Sequence, residues 1–186
     1  MSRVVEVPTQ LDDRTFDQFA KAYGADGEER LLFDAHRTQW ASPYGLVGLL
    51  AAGQATLEQG HERPLLTLPQ DREVTHYWGR AGFLEHAREW FEIHGKVPRI
   101  ASSDSSDVLL EITPVRGSDD VHGVVERIQE QAQAILSHDL GLEASATMGF
   151  AMALSEACQN IVEHAGTSGW VAVQAYHWRR RLGRRG

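Results

Sequence analysis

Cysteine is nearly missing: Cys158 is the only one in 186 residues. That excludes an internal disulfide and a multi-cysteine metal cluster. Long apolar runs are missing too, and none approaches the roughly 18 residues of a membrane span. Met1-Ser2-Arg3 leads straight into a strand pattern. The expectation is therefore a cytoplasmic protein with no membrane contact. The chain has no Gly-x-Gly-x-x-Gly, no P-loop and no Gly-x-Ser-x-Gly, so the common phosphate cradles and the nucleophile elbow are out. Nine histidines make no metal set. His86 and His94 stand eight apart across an expected helix end, and Glu163 and His164 are neighbours that face different ways. Positive charge is scarce outside one place. The net charge is −8, yet five arginines fall within Arg179–Arg185, which leaves residues 1–178 at −13. An acidic body does not suit general nucleic-acid binding, because phosphate contacts need a basic face. The arginine-rich end reads as solvated, with an anionic partner as the alternative.

What is present reads as alternating strand and helix through residues 1–90. Val4, Val5 and Val7 make a strand stopped by Pro8. Asp12-Asp13 cap a helix that carries Phe16, Phe19 and Ala20 and ends at Gly24. Leu31-Leu32-Phe33, closed by Asp34, fits a strand buried on both faces. Ser42-Pro43 opens a helix as N-cap and first-turn proline, with Leu46, Leu49, Leu50 and Leu57 on one face. Its Gly45, Gly48 and Gly53 suit close packing against a sheet. The Leu65–Leu68 strand is bracketed by prolines, and a helix over 71–90 is open to breakage at Gly79 and Gly82. Short connections between such units predict parallel pairing with right-handed crossovers. Trp78, Trp90 and Tyr77 read as core or interface aromatics.

Residues 93–106 have linker composition. Beyond them the spacing predicts a strand over Val108–Ile112 ended by Pro114, a helix over 119–139, a helix over 143–165 and a strand from Trp170. The 143–165 helix holds the most chemistry. Glu156, Asn160 and His164 fall at i, i+4 and i+8 on one stripe, beside an expected core stripe of Phe150, Leu154, Cys158 and Ile161. A carboxylate, an amide and an imidazole in line suit a site; a polar surface helix is the other reading. Cys158, on the apolar side, reads as an inert core thiol.

Two stretches carry a family resemblance. Leu154–Ala165, with Glu-x-x-x-Asn-x-x-x-His-Ala, resembles the N-box helix of the GHKL ATPase superfamily, in the form found in anti-sigma-factor serine kinases. The resemblance covers about residues 107–178. It implies a bound ATP and Mg2+, with Glu156 orienting or deprotonating the attacking group, Asn160 ligating the magnesium and His164 lining the nucleotide pocket. Residues 28–86 are similar to a STAS domain, the fold of anti-sigma-factor antagonists, through Leu31–Ala35, Ala41–Leu46, the Leu65–Leu68 strand and the Trp78–Phe83 helix. There Tyr44 stands where the resemblance expects a phosphorylated serine or threonine, and Ser42 is the remaining hydroxyl. With Ser42 engaged as N-cap, docking or sensing is the preferred reading over a phospho-switch.

The resemblances imply an α/β STAS-like domain over 1–92, a sheet with packed helices. A linker over 93–106 and an α+β partial GHKL domain over 107–186 follow. The adenine-reading boxes of that family are not in the sequence, so the expectation is an incomplete ATP-binding fold, inactive alone. The implied role is partner switching with an antagonist or sigma-factor-like regulator, with a homodimer through the unpaired C-terminal strand as a further option. A non-catalytic interaction module is the alternative.

Overall fold

A computed structural model describes residues 2–24, 29–99, 108–117, 119–127, 130, 143–164 and 168–174. Its elements follow the expected alternation. They are β1 (Ser2–Glu6), β2 (Gln10–Leu11), α1 (Asp13–Tyr23), β3 (Arg30–Asp34), β4 (Trp40–Ala41), α2 (Pro43–Glu58), β5 (Leu65–Thr67), α3 (Arg72–Arg80), α4 (Phe83–Trp90) and β6 (Glu92–His94). Strands β1, β3, β5 and β6 form one sheet in that order, and every pair is parallel. Strands adjacent in chain order and parallel need a crossover, and α1, α2 and the α3–α4 pair supply the three. The fold is mixed α/β, as the alternation predicts.

Local chemistry sets the helix starts. Asp12 caps α1 by accepting from the N–H groups of Arg14 and Thr15, while the Thr15 hydroxyl takes the Asp12 N–H in return. Ser42 caps α2 by accepting from Gly45 N–H at 3.1 Å, with Pro43 at the first helical position. Within α2 the glycines are packing devices. A Cβ on Gly45 would sit 2.2 Å from the Leu11 carbonyl oxygen, and one on Gly53 would sit 2.4 Å from the Phe91 ring. The 71–90 stretch breaks at one of the two expected glycines. Gly82 holds φ at +79°, and α3 and α4 part there.

The core lies between the sheet and its helices. Val5, Leu31, Phe33 and Leu66 meet Phe19, Leu46, Leu49, Leu50, Trp78, Leu84 and Ala87 there, each worth about 1.5–3 kcal/mol of burial for the larger side chains. The expectation that Leu31–Phe33 is buried on both faces is corrected. Leu31 and Phe33 are buried, but Leu32 between them is only half-buried, and its register neighbour Val4 is 56% exposed. The sheet is covered on the side that those two residues face and far less on the other.

The remaining described elements are β7 (Val108–Val115), α5 (119–127), α6 (Ala144–His164) and β8 (Gly169–Gln174). β7 runs through Pro114 rather than stopping before it, pairing antiparallel with β8 opposite Trp170. Proline is tolerated on a ribbon edge, where its missing N–H costs no ladder bond. The expected linker also begins too early, since β6 keeps residues 92–94 in the sheet. The expected helix stretch 128–139 lies outside the described residues apart from position 130, as does the arginine-rich end.

The β7–β8 ribbon has two working faces. Ile112 and Trp170, with Ala172, join the first core, while Val115 sits with Val171 and Val173 against Val121, Val124, Leu154 and Cys158. Polar bonds register the first contact. Trp170 Nε1 donates to Gln54 Oε1 at 3.1 Å, Tyr77 Oη donates to Gln174 Oε1 at 2.8 Å, and His86 Nε2 donates to the Ile112 carbonyl at 2.9 Å. Trp90 and His86 both pack against the Trp170 ring. Of the three aromatics read from the sequence as core or interface, Trp90 and Tyr77 meet the ribbon and Trp78 is core.

Candidate functional site

On α6 the buried stripe is Ala151, Leu154 and Cys158, with Ile161 half-buried. Phe150, expected in that stripe, is 38% exposed, and Ala151 takes its place. Glu156 and Asn160 are exposed. At about 100° per residue they lie on the side of the helix away from Cys158, not on the flank next to it as expected. Burial pushes the Cys158 thiol up, as befits an inert core thiol. The backbone of His164 ends α6, and its side chain lies outside the described residues. So α6 keeps Glu156 and Asn160 on one outward stripe, and no described cavity is lined by either. The groove that α6 does form, about 240 Å³, lies against α5 and uses Ser155, Gln159 and Glu163 with His122. Among the described residues no cluster of three or more His, Cys, Asp or Glu could hold a metal ion.

At the start of α2 the Ser42 hydroxyl is spent on the cap, as expected, and also lies 3.4 Å from the Leu11 carbonyl. Tyr44 is 54% exposed, and its ring stands edge-on to Phe16 with centroids 5.5 Å apart. Trp40, four residues earlier, is 41% exposed. Ser42 and Tyr44 therefore differ in availability: the hydroxyl is engaged, whereas the aromatic is presented.

A third group was not singled out from the sequence. The last residues of the four parallel strands, Glu6, Asp34, Thr67 and His94, are register partners and form one row across the sheet. Thr67 Oγ1 donates to Asp34 Oδ1 at 2.5 Å, and the His36 N–H donates to the same oxygen at 3.0 Å. The Thr67 hydrogen bond, with help from His36 and Arg37, holds the Asp34 carboxyl below its usual range against a smaller opposing effect of burial. At the opposite, amino-terminal ends of the strands, Arg30 bonds Glu92 at 2.6 Å and holds that carboxyl low as well. The signal in the sequence was the polar residue closing each apolar strand, since carboxyl ends of parallel strands are where α/β proteins place ligands.

Compared with known proteins, the chain matches no family model, no curated protein and no solved structure. No helix among the described residues is long and apolar enough to cross a membrane.

Proposed function

We propose that this protein is a regulatory signalling protein of the partner-switching type, and that its STAS-like α/β part works by docking. The observation that carries the reading is Tyr44, exposed on the Phe16 ring at the start of α2 beside a serine whose hydroxyl is already engaged. An exposed aromatic held by a second ring offers contact area at little entropic cost, which suits a protein interface. The expected partner is an antagonist or sigma-factor-like regulator. The test is calorimetric binding of purified regulators of that class from the same genome. One of them should bind, and Tyr44→Ala should weaken binding by about tenfold, the loss of one interface anchor. Absence of binding, or equal binding by the variant, overturns the reading.

A second reading is favoured by Glu156 and Asn160 sharing an outward stripe on α6. The donor types fit Mg-ATP: Mg2+ takes few protein ligands and completes its shell with phosphate and water. Asn160 would supply one amide oxygen, and Glu156 a carboxylate to orient a hydroxyl or water. Bound Mg-ATP would supply a transferable phosphoryl group. The docking reading expects no magnesium-dependent ATP binding by this chain. Magnesium-dependent binding abolished by Asn160→Ala would establish the second reading instead.

A further inference from the structure

We propose that β1 is a docking edge for a second copy of this chain, the two β1 strands pairing antiparallel about a twofold axis at Val4. Among the described residues β1 pairs with β3 alone, so its other side is an edge of the sheet. The ladder fixes which groups lie there. Val7 N–H donates to the Asp34 carbonyl, and parallel pairing alternates along a strand, so Arg3 and Val5 also spend their main-chain groups on β3. Ser2, Val4 and Glu6 turn theirs outward. Such a row is a template for another strand. The far edge of the sheet is blunted by comparison. In the three residues of β6, Glu92 N–H goes to the Pro64 carbonyl and the His94 carbonyl accepts from Leu68 N–H, which leaves Ile93 alone facing out.

A second copy fits because β1 is complementary to itself. A twofold axis at Val4 sets Val4 against Val4 of the other copy, and Ser2 against Glu6 in both directions. Each of these pairs exchanges two main-chain bonds, and none of them is used by β3. The one residue that meets itself is apolar and 56% exposed. No carboxylate faces a carboxylate, an arrangement that would oppose pairing. Charge complements as well. Glu6 and Asp34 are register partners, as are Ser2 and Arg30, so the acidic end of one copy's β1–β3 pair runs on into the basic end of the other's. Arg30 already bonds Glu92 at 2.6 Å and adds its field rather than a new bond. The side chains of Ser2, Val4 and Glu6 lie on the less covered face of the sheet, opposite the buried Val5. There Val4 neighbours Leu32, and Leu32 neighbours Leu65, both half-buried. Pairing carries that apolar row across the axis into an identical one and closes the contact without leaving a free β1 edge. The surface is separate from Tyr44 and from α6, and its test does not depend on docking or on ATP.

The experiment is analytical ultracentrifugation of the whole chain from micromolar to near-millimolar concentration, which should show a monomer–dimer equilibrium. Val4→Pro removes an N–H that β3 does not use, and an edge position of that kind tolerates proline. The variant should keep the circular dichroism of the natural chain while its dimer weakens by about tenfold or more. Val4→Lys, a change at an exposed position, sets two ammonium groups against each other on the axis and should weaken the dimer as much. Should Val4→Pro fail to fold, Val4→Lys decides. Val4→Cys should be joined into a dimer by a short bis-maleimide, because paired Cα atoms lie about 5.5 Å apart. Glu85→Cys on α4 should not be joined, and Cys158 is buried. A natural chain that stays monomeric over the whole range overturns the proposal. So does a dimer that the folded Val4 variants leave equally tight, which would assign the contact to another edge such as that of β8.

Discussion

The indole N–H of Trp170 on β8 meets the side-chain oxygen of Gln54 on α2 at 3.1 Å, joining residues 116 apart in sequence. Gln54 also bonds Ser168 through its amide nitrogen, at 3.1 Å to Oγ and 3.2 Å to the carbonyl. Both side chains are buried, at 4% and 7% exposure. The amide thus fixes the register of the ribbon on α2, while Trp170 and Ile112 supply the apolar contact. Gln54→Leu keeps the volume but strands a buried indole N–H and the Ser168 groups. The expected cost is about 1–3 kcal/mol, the penalty of leaving buried polar groups unpaired. Chemical denaturation should show a lower midpoint with an unchanged slope. A midpoint equal to that of the natural chain would mean that apolar contact alone holds the ribbon.

Two glycines inside helices should answer alanine with opposite signs. At Gly45 a new Cβ would meet the Leu11 carbonyl oxygen at 2.2 Å and the Leu11 side chain at 2.7 Å, and backbone cannot step aside cheaply. Gly45→Ala should cost about 1–3 kcal/mol as overpacking. Gly149 sits within α6 with nothing within 4 Å of a built Cβ. Gly149→Ala should stabilise by about 0.5–1 kcal/mol through helix propensity and lost unfolded-state freedom. Thermal unfolding of the two variants checks the pair, and shifts of the same sign would refute the packing argument.

The parallel α/β part was legible because it is written in local patterns. Asp12 and Ser42 announce helix starts, Gly82 a break, and short apolar runs between helices announce parallel strands. What failed was whatever depends on the other side of an element. Leu31-Leu32-Phe33 is a continuous apolar run, yet only alternate members are buried, because composition along a strand does not say whether its second face is covered. The Glu156–Asn160 stripe was correctly grouped but set beside the core. Leu154, Cys158 and Ile161 keep the expected core stripe, but Glu156 and Asn160 each stand two residues from Cys158, about 200° around the helix and so on its far side. Of the row of Glu6, Asp34, Thr67 and His94 the sequence shows only a polar residue at each strand end, since strand register alone brings its members together.

That assignment of phase on α6 is open to direct measurement. Asn160 is exposed, so Asn160→Ala should change stability by less than about 0.5 kcal/mol. Leu154 is buried among Val115, Val121, Val124 and Cys158, so Leu154→Ala should cost about 2–5 kcal/mol. Denaturant titration distinguishes the two at once. A large loss from Asn160→Ala would place the polar stripe against the protein and revive the expected flank position.

Thr67 and Asp34 should make part of the stability depend on pH. The folded Asp34 carboxyl lies below its ordinary value, with the Thr67 hydroxyl the largest cause. A carboxyl lowered by folding stabilises the folded state above its unfolded pKa, about 3.9 for aspartate. That contribution is lost as the pH falls from there through the folded value. Thr67→Val removes the hydroxyl, so the folded value should return toward the ordinary one. The variant also loses the 3.1 Å bond that Ala35 N–H makes to that hydroxyl, a loss independent of pH. The stability gap between natural chain and variant should therefore have two parts. One is constant, and the other is full at neutral pH and vanishes in strong acid. Asp34 is partly open to solvent, so the varying part is modest. Stability measured from neutral pH to below the aspartate range, with carboxyl titration by NMR, separates them. A gap that does not change with pH, with Asp34 titrating alike in both proteins, would show that the hydroxyl leaves the carboxylate unaffected.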